Sequence, residues 1–164
     1  MYREQMMGHD PETREMLRGV AGLERLDGKC LDLMAATASL QSVAENTAVY
    51  QEDDDSSDVF LIINGIVTIR SRLPSERDKY SEILVLRSGA FFGVLSFLDG
   101  ARRNLGAFAR ERSLLLRFDS TRLKAACESD AALGRAVYKL LGATAARLAR
   151  DMTMELRNIM SERG

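Results

Sequence analysis

Gly89, Gly93, Arg102 and Arg103 lie close together in the segment Ser88 to Ala109, S-G-A-F-F-G-V-L-S-F-L-D-G-A-R-R-N-L-G-A-F-A. Their spacing suits anion binding. Gly89 and Gly93 bracket Phe91 and Phe92, so the backbone turns sharply while two rings stay buried. Val94 to Leu98 forms one apolar turn of helix directly after Gly93. Free N–H groups at a helix N-terminus favour negative charge, and Arg102 and Arg103 follow a few residues later. The same spacing also describes a buried turn followed by a solvated basic loop.

No other group of residues points to chemistry. His9 is the only histidine and falls in the N-terminal tail. Cys30 and Cys127 are isolated, lack metal-ligand spacing, and read as buried thiols of a reducing compartment. The acidic run Glu52 to Asp58 has neither the glycine nor the distal glutamate of a calcium loop, and reads as a solvated turn. Asp119-Ser120 and Glu128-Ser129-Asp130 read as helix caps rather than as a nucleophile beside a base. A non-enzymatic protein with no cofactor and no metal is expected. A metal cupin, which is also a double-sheet barrel, needs several histidines.

The elements that must position this segment follow from hydrophobic period and turn chemistry. Asp10-Pro11-Glu12 opens a helix carrying Met16, Leu17, Val20 and Leu23 on one face. Asp27 caps a second helix reaching about Ala38. The period then becomes strand-like: Leu40 to Ala44, Thr47 to Gln51, the apolar run Val59 to Ile63, and Ile66 to Arg70. Asn64-Gly65 between the last two predicts a tight hairpin. Ser71 to Ser81, with Pro74, reads as a polar loop at the tip of a hairpin, and Glu82 to Arg87 returns as a strand. Ser113 to Phe118 is a further strand, and Asp119-Ser120 starts a short helix to Ala126. A last helix runs from about Asp130 to Met160, with Leu133, Val137, Leu140, Leu141, Thr144, Leu148, Met152, Leu156 and Ile159 at steps of three or four. About thirty helical residues span about 45 Å, more than a small barrel covers. The far half needs another partner, and Gly142, Ala143, Ala145, Ala146 and Ala149 allow a second helix to approach; the alternative is a helix folded back on its own barrel.

The segment Phe92-Gly93-Val94-Leu95-Ser96-Phe97, followed by Arg103-Asn104-Leu105-Gly106-Ala107-Phe108-Ala109, resembles the phosphate-binding cassette of the cyclic nucleotide-binding domain family, the sensor domain of catabolite activator proteins. Phe92, Gly93, Leu95, Arg103 and Ala109 fit the family pattern. Val94 stands where the family has glutamate, Asn104 where it has serine or threonine, and Leu105 where it has alanine. The turn before Val59 also resembles the family's, with Asp53 in place of a glycine. The resemblance implies an α+β fold: a β-roll, or double-stranded antiparallel jelly roll, with N-terminal helices and a long C-terminal helix. The residues themselves predict a flexible tail over 1–9, and the resemblance implies N-terminal helices with a β-roll sensor domain over 10–128 and a long dimerisation helix over 129–164.

The resemblance also implies roles for residues. Gly93, Val94, Leu95, Arg103, Asn104 and Leu105 would form the phosphate cassette, with Arg103 pairing with a cyclic phosphate. Asp151 and Met152 would lie near the base. Val137, Leu141, Thr144, Leu148 and Met152 would line a parallel two-helix seam in a homodimer. Val94 cannot accept the hydrogen bond that the family glutamate takes from the ribose hydroxyl. That costs about 1.5–3 kcal/mol, one to two decades of affinity, so ordinary micromolar cAMP binding is not expected.

Composition bounds the partners. The chain has 164 residues, 46% hydrophobic and 29% charged, with a net charge of −1. That suits a single domain with a sizeable core and gives no electrostatic drive toward nucleic acid or an anionic membrane. The N-terminus lacks a signal-peptide core, and the apolar runs are shorter than a membrane span. Only Arg157 to Gly164 remain past Leu156, so no DNA-reading module is expected in these residues. A cytoplasmic regulatory module is expected, either sensing a cyclic nucleotide or another phosphorylated ligand weakly, or acting as a pseudo-receptor dimer that binds a protein partner.

Overall fold

A computed structural model describes residues 11–162. The cap expected at Asp10 lies outside the described residues, as do the tail over 1–9 and His9. Helix α1 spans Pro11–Arg18 and α2 Gly28–Ala35. The Asp27 carboxylate caps α2 by accepting from the Cys30 N–H at 2.8 Å. The helix was expected to continue to about Ala38 but stops at Ala35. Thr37 ends it: its hydroxyl donates to Met34 O at 2.8 Å, and the chain turns directly into strand β1, Ala38–Val43.

Seven more strands follow: β2 Ala48–Tyr50, β3 Val59–Asn64, β4 Ile66–Leu73, β5 Glu76–Arg87, β6 Phe91–Phe92, β7 Gly106–Ala109 and β8 Ser113–Phe118. They form two four-stranded sheets, ordered β1-β8-β3-β6 and β2-β7-β4-β5. Every strand pair is antiparallel. Helix α3, Val94–Asp99, lies between β6 and β7, α4 spans Ser120–Ser129, and α5 spans Ala131–Glu162. This is the expected jelly roll with flanking helices.

The apolar run of β3 is continuous because both of its faces are buried. Val59 and Leu61 point into a core shared with the helices, alongside Leu17, Leu31, Leu123 and Leu133. Phe60 and Ile62 point between the two sheets, alongside Val67, Ile69 and Leu115. A strand buried on both faces loses the polar alternation of a half-exposed one. Phe91 and Phe92 divide in the same way, one to each core.

Two turns differ from expectation. Asn64-Gly65 is not a two-residue hairpin, because β3 and β4 belong to different sheets. Gly65 alone takes the left-handed side, with φ 109°, and a Cβ there would run into Ser113. The pair is a corner that moves the chain from one sheet to the other. Ser71 to Ser81 is not a loop either. Strands β4 and β5 stay paired through Ser71↔Ser81 and Arg72↔Tyr80, leaving Pro74-Ser75 as the tip. This ribbon is largely exposed, so no hydrophobic period marks it in the sequence.

Helix α4 extends to Ser129, past the expected end at Ala126. Asp130 then caps α5, its carboxylate accepting from Leu133 N–H at 3.0 Å. Gly134 allows α5 to cross close to α4, since a Cβ would lie 2.6 Å from Cys127 O. Leu133, Val137 and Leu141 bury the first half of α5, while everything beyond Met152 is exposed.

Cys30 and Cys127 are buried and unpaired with each other. Burial pushes both thiols from 9.0 up to about 11, and for Cys30 the neighbouring carboxylates of Asp27 and Asp130 act in the same direction. Burial also pushes the Tyr50 phenol from 10.0 up to about 12, against the pull of Arg103. The folded chain therefore holds protons that the unfolded chain has released, so stability falls as pH rises. Their contribution is complete below about pH 9 and is lost as pH climbs through the raised values. Urea unfolding midpoints are expected to fall steadily from about pH 9 upward and to stay flat from about pH 7 to 8.5 on this account.

Candidate ligand site

The site forms where β6, α3 and the loop to β7 meet β2 and the acidic turn. Gly93 precedes α3 with φ 75° and has no side chain to cap it. A Cβ at Gly93 would lie 2.8 Å from Asp58 O and 3.0 Å from the Arg103 guanidinium. Glycine is required here by both conformation and space.

Arg103 is only 3% exposed. Its Nε donates to Ser56 Oγ at 3.0 Å, Nη1 to Gly93 O at 2.8 Å and Nη2 to Asp58 O at 2.6 Å. The guanidinium lies 4.0 Å from the centre of the Tyr50 ring, a cation–π contact. Tyr50 in turn packs against Phe60 and Phe92, whose rings stack at 5.1 Å. Burial pulls the Arg103 guanidinium below its usual range, opposed by Tyr50, Asp58 and Asp54.

The acidic turn is bound to the cassette through the backbone as well. Asp53 N–H donates to Arg103 O at 2.7 Å, and Arg103 N–H donates to Asp54 O at 3.0 Å. Asp53 takes φ 71°, the left-handed conformation that a glycine supplies more easily. Asp58 joins the site to the helices: its carboxylate accepts from Arg117 Nε at 2.7 Å and from Ser120 N–H at 2.9 Å. Ser57 Oγ adds a bond to Ser120 Oγ at 2.9 Å. Sequence reasoning took this turn for solvated and missed Tyr50, Ser56, Asp58, Arg117 and Ser120. The one available signal was the likeness of the turn to the family pattern.

A cavity of about 60 Å³ opens beside Arg103. Ile69, Leu84, Leu86 and Phe92 wall it from the strands, and Val94, Leu95 and Leu105 from the cassette. Leu148 and Met152 of α5 lean over it. All six expected cassette residues line the cavity, but they differ in exposure. Val94 is 1% exposed and packs in the helical core, whereas Leu95 is 41% exposed and Asn104 faces solvent. Of the two residues expected near the base, Met152 reaches the cavity, and Asp151 is exposed and absent from its lining.

The expected dimer seam is also divided. Val137 and Leu141 are 1% and 2% exposed within this chain's own core, so they have no surface to offer a second helix. The stripe turns inward there because α5 packs on α3 and α4. Thr144 folds its hydroxyl back onto Leu140 O at 2.9 Å. Leu148 and Met152 lie at the cavity mouth, and Leu156 and Ile159 extend the stripe into solvent at 61% and 42% exposure.

Two antiparallel sheets, a glycine-led helix and a buried arginine beside a small cavity define a jelly roll of the cyclic nucleotide-binding kind. The cyclic nucleotide-binding domain model matches residues 40–130, and the chain belongs to that family. Domains of this family are generally regulatory and non-catalytic. A cyclic nucleotide-binding domain of Methylobacillus flagellatus KT is similar, with 18% identity over 94% of this chain and 88% of that one, and a TM-score of 0.76. The Thermus thermophilus catabolite activator protein has 20% identity over 85% of this chain and 62% of its own length, with a TM-score of 0.66. The regulatory subunit of a cAMP-independent protein kinase A from Trypanosoma brucei has 14% identity over 78% of this chain, with a TM-score of 0.62; the match takes in 48% of its length. No curated protein sequence matches the chain significantly. Among the described residues, no helix is long and apolar enough to cross a membrane.

Each guanidinium nitrogen of Arg103 already donates to the protein. Buried Val94 offers no acceptor to a ribose hydroxyl, and apolar walls leave a purine's nitrogens without partners. Ligand pockets commonly enclose roughly 300–1,000 Å³, and this cavity encloses about 60 Å³.

Proposed function

We propose that this chain is a non-enzymatic regulatory module whose pocket binds cyclic nucleotides weakly or not at all. The observation that carries this reading is the state of Arg103. The residue that the family resemblance assigns to the phosphate is buried against Tyr50 and bonded to Ser56, Gly93 and Asp58. Its role here is to hold the acidic turn against the cassette. The likeness to a regulatory subunit described as cAMP-independent is compatible with this reading. Calorimetric titration with cAMP, cGMP and cyclic dinucleotides tests it. No saturable heat is expected below about 100 μM, equivalent to binding weaker than roughly −5.5 kcal/mol. A micromolar dissociation constant for any of them sinks the proposal.

The output surface in this reading is the second half of α5, acting as a homodimer seam. Leu148, Met152, Leu156 and Ile159 follow one face, and the last two have no cover in the single chain. A second copy of the same helix supplies an apolar stripe of matching pitch. Light scattering is expected to give twice the 18.2 kDa chain mass for the full chain. Leu156→Glu together with Ile159→Glu is expected to give the single-chain mass with unchanged helicity. A monomeric parent protein removes the seam from this account.

A further inference from the structure

The face of α5 that its own chain leaves open is not the one the resemblance assigns to a seam. Val137 and Leu141 lie in the core, and Leu140 and Leu148 pack against it. From Gly142, alternating steps of three and four reach Ala145, Ala149, Met152, Leu156 and Ile159, all exposed or half-exposed. Such steps average about 3.5 residues, the period at which two helices stay in contact along their length. Tyr138 begins the same row one step earlier, exposed even though its ring packs on Phe97 of α3. Leu95 of α3 adjoins Met152 at the cavity and is also exposed, so apolar surface runs from α5 onto the cassette helix.

Gly142 has no purpose within its own chain. It sits inside α5, and a Cβ there would meet nothing within 4 Å. Glycine weakens a helix interior relative to alanine, so open space alone does not account for it. With Ala145 and Ala149 on the same row, it clears room for a second backbone. The charges say which body fits. On a helix of about 3.6 residues per turn, Asp151, Glu155 and Glu162 flank this row on one side, and Lys139, Arg150 and Arg157 on the other. When two copies of α5 pack in parallel about a two-fold axis, the acidic flank of each meets the basic flank of the other. In the antiparallel arrangement like flanks meet. Each exposed pair contributes little, but the sign favours one direction throughout.

From this pattern we infer that a second copy of this chain docks on the row from Gly142 to Ile159. Its α5 lies parallel, approaches most closely at Gly142, Ala145 and Ala149, and reaches Leu95 of α3. The inference rests on the homodimer reading above, and it specifies the face, the direction and the contact with the cassette helix.

The test is cysteine cross-linking of the full chain. Ala145→Cys and Ala149→Cys probe the row, and Ala143→Cys and Arg147→Cys probe the opposite, exposed face. Oxidised glutathione takes up the two electrons and two protons released as each pair of thiols joins, while Cys30 and Cys127 stay buried. In a parallel pair each row position faces its own copy, so residues 145 and 149 are expected to cross-link at least about ten-fold faster than 143 and 147. Gly142→Leu and Leu95→Glu are each expected to raise the dimer dissociation constant at least about ten-fold in sedimentation equilibrium, with unchanged circular dichroism. Equal cross-linking rates, or faster rates at 143 or 147, overturn the inference alone and leave a homodimer joined by another face. A dimer that survives Gly142→Leu overturns the crossing, and one indifferent to Leu95→Glu overturns the contact with α3. A monomeric parent overturns both the inference and the homodimer reading.

Discussion

Replacing Arg103 with alanine is expected to destabilise the ligand-free protein by about 3 kcal/mol. In a receptor whose arginine waits for a phosphate, the same change costs binding and leaves the empty fold nearly untouched. Here the guanidinium is the common donor to Ser56, Gly93 and Asp58 and lies against Tyr50. Its removal strands the carbonyls of half-buried Gly93 and Asp58 and empties the space above the ring. Hydrogen bonds to a charged group are worth about 1.5–3 kcal/mol each, and an unsatisfied buried acceptor costs about 1–3 kcal/mol. Against those losses stands relief from burying an unpaired cation, which the mutant no longer bears. The balance of about 3 kcal/mol leaves a domain of ordinary stability folded but weakened. Urea denaturation of parent, Arg103→Ala and Arg103→Lys measures it. Lysine restores the charge without the planar fork and is expected to recover less than half the loss. A midpoint within error of the parent for Arg103→Ala would show that the arginine holds nothing in place.

The second large effect is expected at Gly93. Alanine there is forced into φ 75°, at a cost of about 1–2 kcal/mol. Its Cβ also meets Asp58 O at 2.8 Å, a backbone atom held by Arg103 itself, and the guanidinium at 3.0 Å. Neither neighbour moves without loosening the other, so the total is expected to reach about 2–4 kcal/mol. Gly89 is the control. Its φ of 89° carries the same kind of conformational cost, but a Cβ there meets nothing within 4 Å. Gly93→Ala is expected to unfold at clearly lower urea than Gly89→Ala. Equal midpoints would assign the whole effect to backbone conformation and none to contact between the glycine and the acidic turn.

The sequence by itself determined the short strands of the jelly roll and its flanking helices, while the cassette was legible only through its resemblance to a family pattern. Those features rest on local signals that act within a few residues: the Asp27 and Asp130 caps, the strand-length apolar runs and the glycines around Phe91 and Phe92. Each is read from neighbours in the chain because the physics is local. The hairpin around Pro74 was legible, but the paired length of its arms between Ser71 and Ser81 escaped because a strand exposed on both sides has no apolar period to reveal it. The corner at Gly65 was mistaken for a hairpin because a turn signal does not say in which sheet the next strand pairs. The far half of α5 was correctly read as lacking cover, while Val137 and Leu141 were assigned to a seam they cannot reach, since a helical stripe does not say which turn faces its own core.

Only the tertiary structure decided what Arg103 does. Its acceptors at residues 56, 58 and 93 are far from it in the chain, and two of the three are backbone carbonyls that any sequence would supply. No pattern of side chains announces them. The same holds for the cavity, whose walls come from β4, β5, β6, α3 and α5. Burial, hydrogen-bond partners and volume arise only when those elements meet, and here they bind Arg103 to the acidic turn and to Gly93.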